Sequence, residues 1–222
     1  MLVIPKMAGS GIVQSQIVDH ELAMPQKSQY HVVFSEQQIS CCVGLVDMVG
    51  STKLAASIGL KKMSKYYQHF LNLMSKIIYE FDGAVIKNIG DCLLFYFPGT
   101  TLHSDKTAIK KSMQCALAMI DVHDYLCMQM HSEGLPCIDY RISLDYGQVM
   151  PMHTAGSQLD IIGPAVNMCS KINRLAEKNG VVIGGDLYEI GKGFEGFSFR
   201  CASGYSVGFK QSYPAFALHK KS

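Results

Sequence analysis

Residues 40–49 read SCCVGLVDMV, a short apolar run rich in β-branched residues, which is the pattern of a buried strand. From Lys61 the period changes. Met63, Tyr66, Tyr67, Phe70, Leu73, Met74, Ile77 and Ile78 recur at three- and four-residue spacing and predict an amphipathic helix. The stretch DGAVIKNIGDCLLFYFP at 82–98 then alternates as two strands around NIGD, a hairpin with Gly90 in its turn. A second long helix is predicted over about 104–132, with Ile109, Met113, Leu117, Ile120 and Leu126 on its apolar face. CIDYRISLDYGQVMPM at 137–152 reads as a strand. GPAVNMCSKINRLAEKNG at 163–180 reads as a helix opened by Pro164 and closed by Gly180. VVIGG is a further strand, and the last 25 residues hold one or two more. Residues 1–38 are less patterned: MAGSGIVQSQ is small and polar, MPQKSQ is turn-like, and YHVVF has the look of a short strand. The expected organisation is an arm or linker over 1–38 and one catalytic-sized domain over 39–222. The order strand, helix, strand, strand, helix, strand, then helix and strands predicts an α+β, ferredoxin-like sandwich. Its central sheet is mostly antiparallel, with an additional C-terminal helix and strands.

Composition narrows the class. Of 222 residues 48% are hydrophobic and 17% charged, enough to close a core. The net charge of +2 comes without a basic block, so no nucleic-acid partner is expected, and the KK pairs at 61–62, 110–111 and 220–221 read as solvated positions. No apolar run approaches the roughly 18 residues of a membrane span, and no signal peptide is discernible, so a cytoplasmic, membrane-free protein is expected. The eight cysteines include no C-x-x-C pair and several lie in apolar runs, favouring free thiols in a reducing compartment over a disulfide framework. The eight histidines include no H-x-x-x-H pair, and zinc is not expected.

Two acids stand out against the apolar strands. Asp47 closes the first and Asp91 sits in the hairpin turn. An ionised carboxylate leaving water costs several kcal/mol unless something positive meets it. Either residue alone reads equally as a turn former. In the expected topology, however, the first strand and the hairpin are central neighbours, so the two carboxylates converge, with no lysine beside them, and suit a shared divalent-cation site.

Four motifs in order, VDMVGSTKL, IKNIGDCLLFYFP, RISLDYGQV and LDIIGPAVNMCSKINRLA, resemble the class III adenylate/guanylate cyclase catalytic domain over about residues 40–220. The flavour is that of stand-alone prokaryotic members, archaeal ones included. The resemblance implies ATP as substrate, cytoplasmic signal transduction, and a homodimer with active sites shared across the subunit interface. It also implies two divalent cations per site, Mg²⁺ or Mn²⁺. Asp47 and Asp91 match the two metal-binding aspartates, and Met48 would lend a backbone carbonyl. The peptide Met48, Val49, Gly50, Ser51 and Thr52 would wrap the triphosphate with backbone N–H groups, Gly50 permitting the close approach. Arg141 matches a phosphate-binding arginine, though on its own it reads equally as a surface strand residue.

From the partner chain, Lys87 and Asp160 match an adenine-reading pair. The amine would donate to adenine N1, and the carboxylate would accept from the exocyclic amino group. Asn167 and Lys171 fall on the family's Asn-x-x-x-Arg pair, four apart on one helix face. Here the chain departs, because lysine lacks the planar bidentate fork, and Arg174 one turn on is an alternative. The family's late triphosphate lysine is also missing: Val207 stands there, with Lys210 near. The implied reaction is attack of the ribose 3′ oxygen on the α-phosphorus of ATP, giving cyclic AMP and pyrophosphate. Two alternatives stay open: a cyclase for GTP or a pyrimidine nucleotide, and a weakly active nucleotide-binding regulatory module. The GGD at 184–186 is discounted as a second cyclase signature, since it lies far from the hairpin.

Overall fold

The structure, a computed structural model, describes residues 31–101, 105–154, 159–205 and 213–221. Within them a sheet of nine strands runs through the molecule. β1 (Val32–Phe34) and β2 (Ile39–Met48) are followed by two helices, α1 (Ser51–Ile58) and α2 (Leu60–Glu80). The hairpin β3 (Ala84–Ile89) and β4 (Cys92–Phe97) leads to α3 (Lys106–Asp121) and α4 (His123–Ser132). β5 (Tyr140–Thr154) and β6 (Leu159–Ile162) form a second hairpin ahead of α5 (Pro164–Asn173). β7 (Gly180–Gly184), α6 (Gly185–Gly191), β8 (Phe197–Tyr205) and β9 (Tyr213–Lys220) complete the chain.

The strand order is β3-β4-β2-β5-β7-β9-β8, antiparallel throughout except for the β5–β7 pair. β5 is long enough to do two jobs. Its first half pairs with β2 and β7, and its far end pairs with β1 and β6. The mostly antiparallel α+β architecture is the one the pattern predicts.

Alternation along β2 sorts its side chains between two layers. Cys42, Val46 and Met48 share a core with α2 and α3 through Phe70, Met74, Ile109 and Met113. Cys41, Val43 and Leu45 face the opposite way, onto Ala165 and Cys169 of α5. Asp47 continues that second row and so falls on the α5 side of the sheet. α5 is docked by polar contacts as well: Asn173 Nδ2 donates to Ser143 Oγ at 3.1 Å, and Cys169 Sγ lies 3.3 Å from the same hydroxyl.

Several boundaries differ from expectation. The long helix over 104–132 is two helices, because the backbone turns at Val122 (φ −88°, ψ 3°), which lets Leu126 and Met130 of α4 join the α2–α3 core. STKLAASI, bracketed by Gly50 and Gly59, both at positive φ, is a helix of its own. α5 stops at Asn173, six residues before Asn179, whose positive φ turns the chain into β7. Within the stretch assigned to the arm, Val32–Phe34 is a strand on β5. Six cysteines are free, and Cys127 and Cys137 come together as a disulfide pair.

Candidate active site

Asp47 ends β2 with Cys92 of β4 as its neighbour on one side and Arg141 of β5 on the other. Asp91 occupies the β3–β4 turn one residue before Cys92, beside Gly90 at φ 63°. The acids sense each other. Burial first, then the charge of Asp91, raise the Asp47 carboxyl above its usual range, while Arg141 only partly offsets them. The Cys92 thiol between them is pushed up to about 12 by burial, then by Asp47 and Asp91. Arg141 carries a further mark: its buried Nε has no hydrogen-bond partner among the described residues. A buried donor left unmade costs about 1–3 kcal/mol, so this nitrogen is poised for an anion.

Asp47, Cys92 and Arg141 line a cavity of about 460 Å³, and Asp91 lies in the turn next to its Ile89 and Cys92 walls. Its other walls are Ile89 from the hairpin and Asn167, Ser170, Asn173 and Arg174 from the α5 segment. Beside it, β2 runs out through Met48 and Val49 to Gly50, whose φ of 77° only glycine adopts at little cost, and into Ser51 and Thr52 of α1. The α1 N-terminus has no side-chain cap, so first-turn N–H groups stand without side-chain partners, as anion sites at helix starts require. Two hard carboxylates, one partly desolvated and only half-compensated, form a donor set that fits Mg²⁺ or Mn²⁺.

Lys87 and Asp160 meet elsewhere. Lys87 Nζ donates to Asp160 Oδ2 across the β3–β6 contact, and Asp160 Oδ1 accepts from the Ile161 N–H at 2.8 Å. Asp160 is 7% exposed and lies in a strand, where the sequence alone leaves it open to being a loop residue. Neither residue is among those lining the Asp47 cavity. Lys171 turns to a second cavity, of about 720 Å³, which it lines with Asn167, Asp145, Asp186 and Tyr213. Thus Asn167 borders both cavities, Arg174 shares the one holding Asp47 and Arg141, and Lys171 does not. Val207 and Lys210 lie outside the described residues.

The second cavity holds a group the motifs did not single out. Asp145 is 2% exposed. It accepts from the Tyr213 hydroxyl at 2.9 Å and from the Tyr146 N–H at 2.9 Å. Burial raises its carboxyl to about 7 in spite of both donors. The signal was an acid at a core-facing position of a strand, inside RISLDYG, four residues after Arg141 and therefore on the same face.

A family model described as adenylate and guanylate cyclase catalytic domain matches residues 33–220. A cytidylate cyclase of Staphylococcus aureus is 26% identical over 182 residues, 78% of this chain and 43% of that protein. An adenylate cyclase of Anabaena cylindrica is 30% identical over 139 residues, 60% of this chain and 27% of that protein. The chain thus spans less than half the length of these curated relatives. Among solved structures, the adenylyl cyclase CyaB from P. aeruginosa aligns with a TM-score of 0.75 at 21% identity, over 84% of this chain and 96% of that one.

Proposed function

The chain belongs to the adenylate and guanylate cyclase catalytic domain family and is a nucleotide cyclase domain; from that premise we propose that it converts ATP to 3′,5′-cyclic AMP and pyrophosphate, at sites shared between two copies of the chain. The observation that carries this reading is at the end of β2, where two mutually repelling carboxylates meet the half-buried Arg141, whose buried Nε has no partner among the described residues.

In this reading the 3′ oxygen of the ribose attacks the α-phosphorus. A new P–O3′ bond forms, the bond to the β-phosphate oxygen breaks, and the 3′ proton leaves. Arg141 holds triphosphate oxygens with the Nε that no described residue engages. The N–H groups from Gly50 to Thr52 line the phosphate path, with Gly50 letting the backbone come close; the Val49 N–H is held by the Asp139 carbonyl. Two divalent cations, Mg²⁺ or Mn²⁺, held by Asp47, Asp91 and the Met48 carbonyl, would supply acidity at the 3′ hydroxyl and neutralise phosphate charge. Asn167 orients the ribose, and a cation of the α5 segment stabilises charge on the reacting phosphate. Asp160, held in place by Lys87, accepts from the adenine amino group while Lys87 donates to N1. Guanine reverses the donor and acceptor at those atoms. That neither residue lines the Asp47 cavity is compatible with a site shared with a second copy.

A second reading, a pyrimidine nucleotide as substrate, is favoured by the cytidylate cyclase relative, which aligns over 78% of this chain. The deciding experiment incubates purified protein with each of the four NTPs and Mn²⁺ or Mg²⁺ and identifies products by mass spectrometry. Cyclic AMP as the dominant product supports the first reading. A cyclic pyrimidine nucleotide supports the second, and no cyclic product from any NTP overturns both.

A further inference from the structure

His123 and Cys127 lie four apart on α4 and so share a face, and Cys137 in the following loop reaches the same point. The ligand atoms of the three residues all lie within 4.8 Å of one another. His123 Nε2 stands 3.6 Å from Cys127 Sγ and 3.8 Å from Cys137 Sγ. Zn–N and Zn–S bonds of about 2.0–2.1 and 2.3 Å at a tetrahedral angle separate nitrogen and sulfur by roughly 3.6 Å. The nitrogen thus stands at the separation from either sulfur that a shared cation would set, once the Cys127–Cys137 bond is reduced and the sulfurs part. The surroundings agree. Nε2–H donates to the Ile138 carbonyl at 2.9 Å, with Asp139 Oδ1 at 3.9 Å, so a cation taking the place of that proton would have oxygen atoms as well as both sulfurs around it. The other ring nitrogen, Nδ1, lies 3.4 Å from Asp124 Oδ1. A carboxylate there can accept from Nδ1–H, so that when Nε2 gives up its hydrogen bond to the Ile138 carbonyl its lone pair is free for a metal.

We propose that His123, Cys127 and Cys137 form a structural site for a thiophilic divalent cation, zinc first, distinct from the catalytic cations, with both cysteines in the thiolate form. The disulfide pairing of the same two cysteines is its competitor, and the other six cysteines argue against that state. All six are free, as in proteins kept reduced. Three protein ligands leave a fourth position to water or to the nearby Asp139. The location has a consequence for the cyclase site. The Asp139 carbonyl accepts from the Val49 N–H at 2.8 Å, and β5 begins at Tyr140, next to Arg141. A cation here fixes the loop that joins the triphosphate peptide to the start of β5.

The test uses the full chain, reduced, stripped of metal and titrated with zinc chloride or cobalt chloride. We expect one zinc per chain and thiolate-to-cobalt charge-transfer absorption, both lost in C137S and in H123Q and both kept in D47A. Cys137 is exposed, so C137S should fold normally. Zinc at a hundredfold over its Kd should raise the Tm of the wild type by about 5–10 °C and leave C137S unmoved. Absence of zinc binding by the reduced chain overturns the proposal. So does undiminished binding in C137S, or a Cys127–Cys137 disulfide that persists under reductant.

Discussion

Asp145 shows how one buried acid sets a pH dependence. Its carboxyl rises from 3.8 to about 7, mainly through burial. Between those values the folded chain holds a proton that the unfolded chain has lost, so stability falls as pH rises from about 4 to 7 and then levels. The full effect is at most about 4 kcal/mol. Asp145→Asn keeps an acceptor for Tyr213 and removes the ionisation. Its urea midpoint should exceed that of the wild type at pH 8 and match it near pH 4; an equal midpoint at pH 8 would show that Asp145 is not buried as a costly charge. The same logic applies to Asp47, whose carboxyl is raised by burial and by Asp91. In metal-free protein, Asp47→Asn should leave Tm unchanged or higher, because the amide resembles the protonated acid. Cyclisation should nevertheless drop by about 10²–10³ or more, since a cation ligand and its charge are gone. Added Mn²⁺ should raise the Tm of the wild type more than that of the variant, which differential scanning fluorimetry would read directly.

At the scale of elements, α5 decides which cation serves the reacting phosphate. Lys171 matches the family position, yet it lines the cavity of Asp145 and Tyr213, while Arg174, the C-cap of α5, lines the cavity of Asp47 and Arg141. A site drawn from one chain favours Arg174. A site completed by the partner's α5 leaves the choice to the dimer. Lys171→Ala and Arg174→Ala are each to be measured for kcat and KM. The residue that acts on the transition state should lower kcat and kcat/KM together by about 10²–10³, with KM little changed. The other should be nearly silent. Two silent variants of an active enzyme would remove α5 cations from the chemistry.

For the whole molecule, the absence of Lys87 and Asp160 from the lining of the Asp47 cavity leads to a mixing experiment. An Asp47→Ala chain and an Asn167→Ala chain should each be nearly inactive alone. If sites are shared, the heterodimer holds one site free of both changes. A mixture, after subunit exchange, should recover up to about a quarter of wild-type activity, as half the dimers are mixed and each has one of two sites. No recovery despite exchange measured by native mass spectrometry would mean that each chain completes its own site.

What could be read without a structure was what depends on local periodicity and on motif order. The continuous apolar run at 40–49 gave β2, because a strand buried on both faces has no polar side, and the three-and-four spacing from Met63 to Ile78 gave α2, because burial on one face imposes that period. Asp47 and Asp91 could be paired because the ferredoxin-like topology puts the first strand beside the hairpin that follows it, as β2 lies beside β4. Three things needed tertiary structure. The turn at Val122 divides one apolar pattern into two helices, since either arrangement satisfies the same period and only packing against α2 chooses. Asp145 looked like any acid in a strand until α5, Gly184 and Tyr213 closed over it; a Cβ on Gly184 would lie 2.2 Å from its carboxylate. His123, Cys127 and Cys137 match no short spacing rule, because the third ligand comes from a loop, and it is the path of that loop into β5 that brings the three together.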